Sequence, residues 1–155
     1  MLTLSGPAKR AANQELSLDL AFENQGPTPL VVVRPLDGSL EYFRAPMVDV
    51  YAREEASGKV YRFAYTGGRC GNVNPIQEDD YATLAPRESR SDVTDNGWAG
   101  YLKSTSLPRA GRYAVWVVYT FCDFINRGSP LAADVIRSEA YLGAHASNAL
   151  QVEVR

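Results

Sequence analysis

Residues 107–120 read LPRAGRYAVWVVYT. The turn formers Pro108-Arg109-Ala110-Gly111 run directly into a strand pattern, with Tyr113, Val115, Val117 and Tyr119 at one parity and Ala114, Trp116, Val118 and Thr120 at the other. Both parities are largely apolar, which predicts a central strand covered on two faces rather than a surface strand with one wet face. Tyr113 follows a glycine-containing corner. A tyrosine so placed packs its ring inside while its hydroxyl bonds backbone a few residues upstream. The stretch is therefore expected to be the late central strand of a β-sandwich.

The flanking sequence supplies further strands. Glu15–Asn24 alternates cleanly, with Leu16, Leu18, Leu20 and Phe22 on one face and Ser17, Asp19, Ala21 and Glu23 on the other. Leu2–Ser5 precedes it as a short strand ended by Gly6-Pro7. Leu30–Arg34 follows the turn Gln25–Pro29 as a continuous apolar run. Met47–Arg53 and Val60–Tyr65 read as a hairpin whose tight part is Ser57-Gly58-Lys59. Asp79–Ala85 and Glu88–Val93 flank the corner Ala85-Pro86-Arg87, and Ser147–Val154 closes the chain with Leu150, Val152 and Val154 inward. Before that last strand, Ser129-Pro130 can start a helix that Gly143 can close, with Leu131, Val135, Tyr141 and Leu142 on one face. The expected fold is one all-β domain over 1–155: an antiparallel β-sandwich of seven to nine strands with one short helix near 130–142.

The bulk numbers agree with one domain. A chain of 155 residues can bury roughly 70% of its unfolded surface and needs neither a metal nor many disulfides to hold a core. Sixteen basic and eighteen acidic residues leave a formal charge of −2, which argues against nucleic acid as a partner, since that needs a basic face. No apolar run approaches the ~20 residues of a membrane-spanning helix. The opening MLTLSGPAKRAANQ lacks the charged start and long apolar centre of a signal peptide. Because the chain begins directly on a strand, as a trimmed mature domain would, export to the periplasm, cell surface or medium is the expectation, with a cytosolic protein as the alternative.

Tyr81–Ser89, YATLAPRES, followed by Leu107–Val118 and the closing Ser147-Asn148-x-Leu150-x-Val152, resembles bacterial immunoglobulin-like domains over about the C-terminal half. It is similar to the non-catalytic domain of deuterolysin-type metalloendopeptidases and, more loosely, to the intracellular proteinase inhibitor domain of bacilli. Gly68–Pro75, GRCGNVNP, resembles secreted or lipoprotein-like bacterial proteins of uncharacterised role. The resemblance implies an immunoglobulin-like fold and an envelope location, and it carries no catalytic residues.

Candidate sites are few. Cys70 and Cys122 are the two cysteines. Paired, they would close a loop of about 50 residues and add roughly 3–4 kcal/mol; otherwise they are two buried thiols. His145 is the sole histidine, and neither a Gly-x-Ser-x-Gly elbow nor a catalytic-cysteine signature accompanies it, so it reads as a surface or capping residue near a helix end. Acidic groups at Glu78-Asp79-Asp80 and Asp92-x-x-Asp95-Asn96-Gly97 match no EF-hand loop and suit solvated turns, so no metal or other cofactor is assigned. Trp98 and Tyr101, in the Gly-bracketed loop DNGWAGYL, read as a binding anchor or as a plug over the core. Phe124, Ile125 and Tyr141, in the long segment 123–145, form the other candidate surface. The expected function is a non-catalytic protein-binding or accessory role, exercised through the loops. The alternative is a peptidase inhibitor using loops 95–101 and 66–78, with immunity and adhesion roles equally compatible.

Overall fold

The computed structural model describes residues 1–35, 46–63, 76–91, 106–121 and 140–155. Within them the protein is all-β. The strands are β1 (Leu2–Ser5), β2 (Lys9–Arg10), β3 (Asp19–Glu23), β4 (Leu30–Val33), β5 (Met47–Glu54), β6 (Val60–Phe63), β7 (Tyr81–Leu84), β8 (Ser89–Arg90), β9 (Gly111–Phe121), β10 (Gly143–Ala146) and β11 (Leu150–Val154). One turn of 3-10 helix, Glu78–Asp80, precedes β7. The eleven described strands exceed the seven to nine expected because β2, of two residues, and β10, at the end of the expected helix, form where the sequence pattern marks no strand.

Strand β9 is interior, as its sequence predicts, in a sheet ordered β2-β11-β9-β5-β6 with β10 also paired to β9. It runs antiparallel to β5 from Met47↔Thr120 to Glu54↔Tyr113. Tyr113, Val115, Val117, Tyr119 and Phe121 are fully buried along one face. The expectation that both faces are covered is corrected on the other parity: Ala114 is buried, but Trp116, Val118 and Thr120 are only half-buried. There the rings lean on cross-strand neighbours, Trp116 stacking on Tyr51 at 5.5 Å and 12°. The Arg62–Asp49 ion pair, at 2.9 Å, shares that face.

The Tyr113 hydroxyl donates to the Arg109 carbonyl at 3.1 Å, four residues upstream, as the glycine corner predicts. The alternation read in 15–24 also holds. Leu16, Leu18, Leu20 and Phe22 are all buried, and β3 pairs β1 from Leu2↔Phe22 to Ser5↔Asp19. Beyond that, β3 pairs β8 and β4 pairs β7, both antiparallel. The two registers belong to one long ladder with an interruption. Glu23 faces Ser89 and Leu30 faces Leu84, so six residues, 24–29, oppose four, 85–88. The excess chain bulges outward. On the short side the corner is tightened by the Glu88 carboxylate, which accepts the Ala85 N–H at 2.6 Å, and Arg87 takes a left-handed φ of 68°.

The closing segment has its own bulge. Ala146 faces Val118 and Leu150 faces Val115, so three residues, 147–149, oppose two. Ser147 resolves the mismatch: its N–H donates to the Val117 carbonyl at 2.8 Å, and its Oγ accepts the Val117 N–H at 3.0 Å. Asn148 turns to the other sheet, accepting the Leu4 N–H at 2.6 Å and donating to the Leu4 carbonyl at 2.9 Å. One side chain thus imitates the next strand. Asn148→Ala removes both bonds at a partly solvated position and is expected to lower stability by about 1–2 kcal/mol, read as a lower urea midpoint at unchanged slope.

Two expectations fail at the ends of the chain. Strand β2 pairs β11 in parallel, Lys9 with Glu153 and Arg10 with Val154, so the pairing is not wholly antiparallel. The chain reaches that edge through Gly6, where a Cβ would stand 2.8 Å from the Ser17 carbonyl oxygen; only glycine allows so close a crossing. The helix expected near 130–142 lies outside the described residues up to 139, and its last turn is not helical. Ala140 bridges Val31, the Tyr141 N–H donates to the Val31 carbonyl at 2.7 Å, and Gly143, at φ 120°, opens β10 instead of closing a helix.

All these inward faces meet in one apolar core. Tyr119 ties its parts together: its ring meets Phe22 edge-on at 5.2 Å, and its hydroxyl donates to the Val33 carbonyl at 3.0 Å.

Candidate functional site

The segment 140–148 alternates between sheets. It bridges β4 at Val31, pairs with β9 over 143–146, then bridges β1 where Ser147 meets Leu2. Between those two bridges its course diverges from the opposite wall, because residues 24–29 are the bulged side of the β3–β4 ladder. The result is a cleft of about 620 Å³. Its described lining runs from Glu23 to Gly26 and from Thr28 to Leu30 on one wall, with Tyr141 and Ala144–Ala146 on the other and Met1 and Leu2 at the end.

Asn24 holds the first wall in shape. It is a buried polar side chain, 3% exposed. Its Nδ2 donates to the carbonyls of Thr28 (2.8 Å), Leu84 (3.1 Å) and Ala85 (3.1 Å), and its Oδ1 accepts the Gly26 N–H at 2.9 Å. Its backbone is held as well, the N–H donating to Glu88 and the carbonyl accepting from Arg87. The bulge and the 85–88 corner are therefore one hydrogen-bonded unit.

On the second wall Tyr141 and His145 stack, centroids 3.7 Å apart and planes within 16°. The His145 Nε2 lies 3.0 Å from the Leu142 carbonyl oxygen, which can only accept, so Nε2 carries a proton and Nδ1 is the nitrogen left available in the neutral ring. His145 is thus a member of a strand, not the residue near a helix end that the sequence suggested; its ring is half-buried against Tyr141. A histidine base needs a nucleophile in reach. Among the described residues of the lining there is neither Ser nor Cys, and Thr28 is on the far wall. What the cleft does offer is a flat ring surface, a carboxylate at Glu23 and strand backbone.

Of the residues singled out in the sequence, Tyr141 and His145 are brought together here. Trp98, Tyr101, Phe124, Ile125, Cys70 and Cys122 lie outside the described residues, as do Asp92, Asp95 and the loops 66–75 and 95–101. At the other acidic cluster, the Asp80 carboxylate accepts the Gln77 N–H at 2.8 Å and closes the 3-10 turn. Among the described residues no three His, Cys, Asp or Glu side chains gather as metal ligands. No helix among them is long and apolar enough to cross a membrane. Asn24 and the β10 alanines were not singled out beforehand. An Asn just before a Gly-Pro turn was the available signal for the first; the small residues Ala144 and Ala146 carried none.

Comparison with family models, with curated proteins and with solved structures finds no match to this chain.

Proposed function

We propose that the protein is an immunoglobulin-like β-sandwich that binds a protein partner without catalysing a reaction, and that it works as an exported accessory domain. The observation that carries this reading is the stacked Tyr141–His145 pair on the wall of a cleft of about 620 Å³. Aromatic side chains held rigidly at a concave surface present apolar area at little entropic cost, the make-up of a binding hot spot. The buried Tyr113 ring with its upstream hydroxyl bond supports the fold class, since that corner recurs in immunoglobulin-like sandwiches. In this reading the strands are committed to the core, and irregular segments carry specificity. Trp98, Tyr101, Phe124 and Ile125 remain proposed contributors.

The test is capture from source cells on immobilised protein, with mass spectrometry, comparing wild type with Tyr141→Ala. The variant is expected to retain at most a tenth of the specific partner; because Tyr141 packs against the core its urea midpoint should fall, so capture is compared under conditions where both proteins are folded by circular dichroism. Equal capture by both proteins would remove the ring pair from the interface. Dose-dependent inhibition across a protease panel would shift the role to that of a peptidase inhibitor, and turnover abolished by His145→Ala would make it an enzyme.

A further inference from the structure

The outer edge of β10 is an open one. Ser147 exchanges its bonds with Val117, so by the antiparallel alternation residues 143 and 145 also face β9. Ala144 and Ala146 consequently aim their N–H and C=O groups away from β9; the parallel bridge of Leu2 to Ser147 takes up the Ala146 carbonyl and leaves the Ala144 N–H, the Ala144 carbonyl and the Ala146 N–H. On the far side of the bulge the same rule sends the Glu153 N–H outward, where β2 receives it at the Ala8 carbonyl. No such strand lies beside 143–146 among the described residues; instead, Ala144, His145 and Ala146 line the cleft. The gap has the width of a strand because strands occupy the same position at both ends: Leu2 meets Ser147 at one, and Val31 meets Ala140 at the other.

We propose that the edge Gly143–Ala146 receives an extended segment of a protein partner as an added strand, with a basic side chain of that segment placed against Glu23. This rests on the protein-binding reading above and names its mode. Four strand residues span about 13 Å, enough for an extended segment of about four residues. Main-chain bonds to the Ala144 N–H and carbonyl and to the Ala146 N–H give such a segment affinity, while alternate side chains give it specificity. One set meets the Tyr141–His145 stack. Among the described residues of the lining, the charged carboxylate is Glu23; the Met1 amino group sits on the Glu23 carbonyl oxygen at 2.5 Å and the Gln25 amide is 3.4 Å from the carboxylate. A Lys or Arg on the incoming segment complements that charge.

The probe is a phage-displayed library of random ten-residue peptides, panned on the full chain, with enriched sequences then synthesised. Enriched peptides are expected to alternate, to carry Lys or Arg, and to slow amide hydrogen exchange at Ala144 and Ala146. Ala144→Pro deletes an outward N–H without touching the bonds to β9, and should weaken them at least tenfold. Should that variant not fold, N-methylation of alternate peptide amides asks the same question of the unaltered protein, and one of the two phases should lose tenfold. Glu23→Gln should weaken the basic peptides several-fold. Peptides that bind but leave Ala144 and Ala146 exchange unchanged, or that tolerate N-methylation in both phases, overturn the edge proposal while leaving partner binding intact. A library without enrichment, or self-association of the chain through this edge, also overturns it, whereas the capture experiment alone decides the broader reading.

Discussion

Asn24→Asp is expected to lose about 3–5 kcal/mol of stability at pH 7, the scale on which a buried charge is left without its partner. The exchange is nearly isosteric, so packing does not explain the loss. The wild-type amide points its two N–H donors at three carbonyls, of Thr28, Leu84 and Ala85. A carboxylate puts an acceptor there, facing acceptors, in a site 3% exposed. Burial and the carbonyl dipoles would raise the folded-state pKa of the introduced carboxyl above its unfolded value of about 3.9. A group of that kind is best tolerated below the unfolded pKa, and its penalty grows as pH rises. The variant should therefore recover part of its deficit between pH 7 and pH 4, as the protonated carboxyl regains one donor. Urea unfolding of both proteins at the two pH values measures this. A deficit equal at pH 4 and pH 7 would show that charge is not the cause. Asn24→Ala, which leaves the carbonyls unpaired but introduces no charge, should be less damaging at pH 7 and insensitive to pH over this range.

Why Asn24 escaped the sequence reading is instructive. The alternation of Leu16, Leu18, Leu20 and Phe22 is visible in one dimension because strand burial repeats every two residues. The same is true of Val115, Val117 and Tyr119. Tyr113 was legible because its hydrogen bond closes over four residues. Asn24 bonds across about 60 residues, to Leu84 and Ala85, and nothing in a local window records that partner. The segment 140–146 misled for a related reason. Tyr141 and Leu142 have helical spacing relative to Leu131 and Val135, but the Tyr141 N–H is claimed by Val31, more than a hundred residues away. Gly143 suits a helix end and a strand start equally, and tertiary pairing decided between them. The cleft follows from these long-range events. It exists because a bulge of two residues on one wall faces a strand that changes sheets on the other, and neither is encoded by periodicity.

Two polar side-chain links between strands, those of Asn148 and Tyr119, differ in what water can do for them. Asn148 reaches Leu4 at a solvated edge, where water can replace it in part. Tyr119 reaches Val33 inside the core, where water cannot. Its removal is correspondingly more serious.

Tyr119→Phe should lower stability at neutral pH by about 1–3 kcal/mol, because the Val33 carbonyl is left buried without a donor while the ring contact with Phe22 is kept. The larger signature is alkaline. Burial pushes the Tyr119 phenol far above its ordinary value; the bond to Val33 pulls the other way but is the weaker effect. In the unfolded chain the same phenol ionises near pH 10. Its stabilising contribution is therefore fully present below pH 10 and is lost as pH rises beyond it, since the unfolded state releases a proton that the folded state retains. One retained proton corresponds to about 1.4 kcal/mol per pH unit. Between pH 10.5 and 12 the wild type should lose about 2 kcal/mol through this residue alone, and Tyr119→Phe should show a stability curve flatter by that amount. The two curves converge as pH rises, so the substitution that weakens the fold at pH 7 should be least harmful at pH 12. Tyr51 and Tyr113, whose phenols are also raised by burial, remain in both proteins and cancel in the difference. Parallel curves through pH 12 would mean that the Tyr119 hydroxyl reaches solvent, and would break the link between β9 and β4.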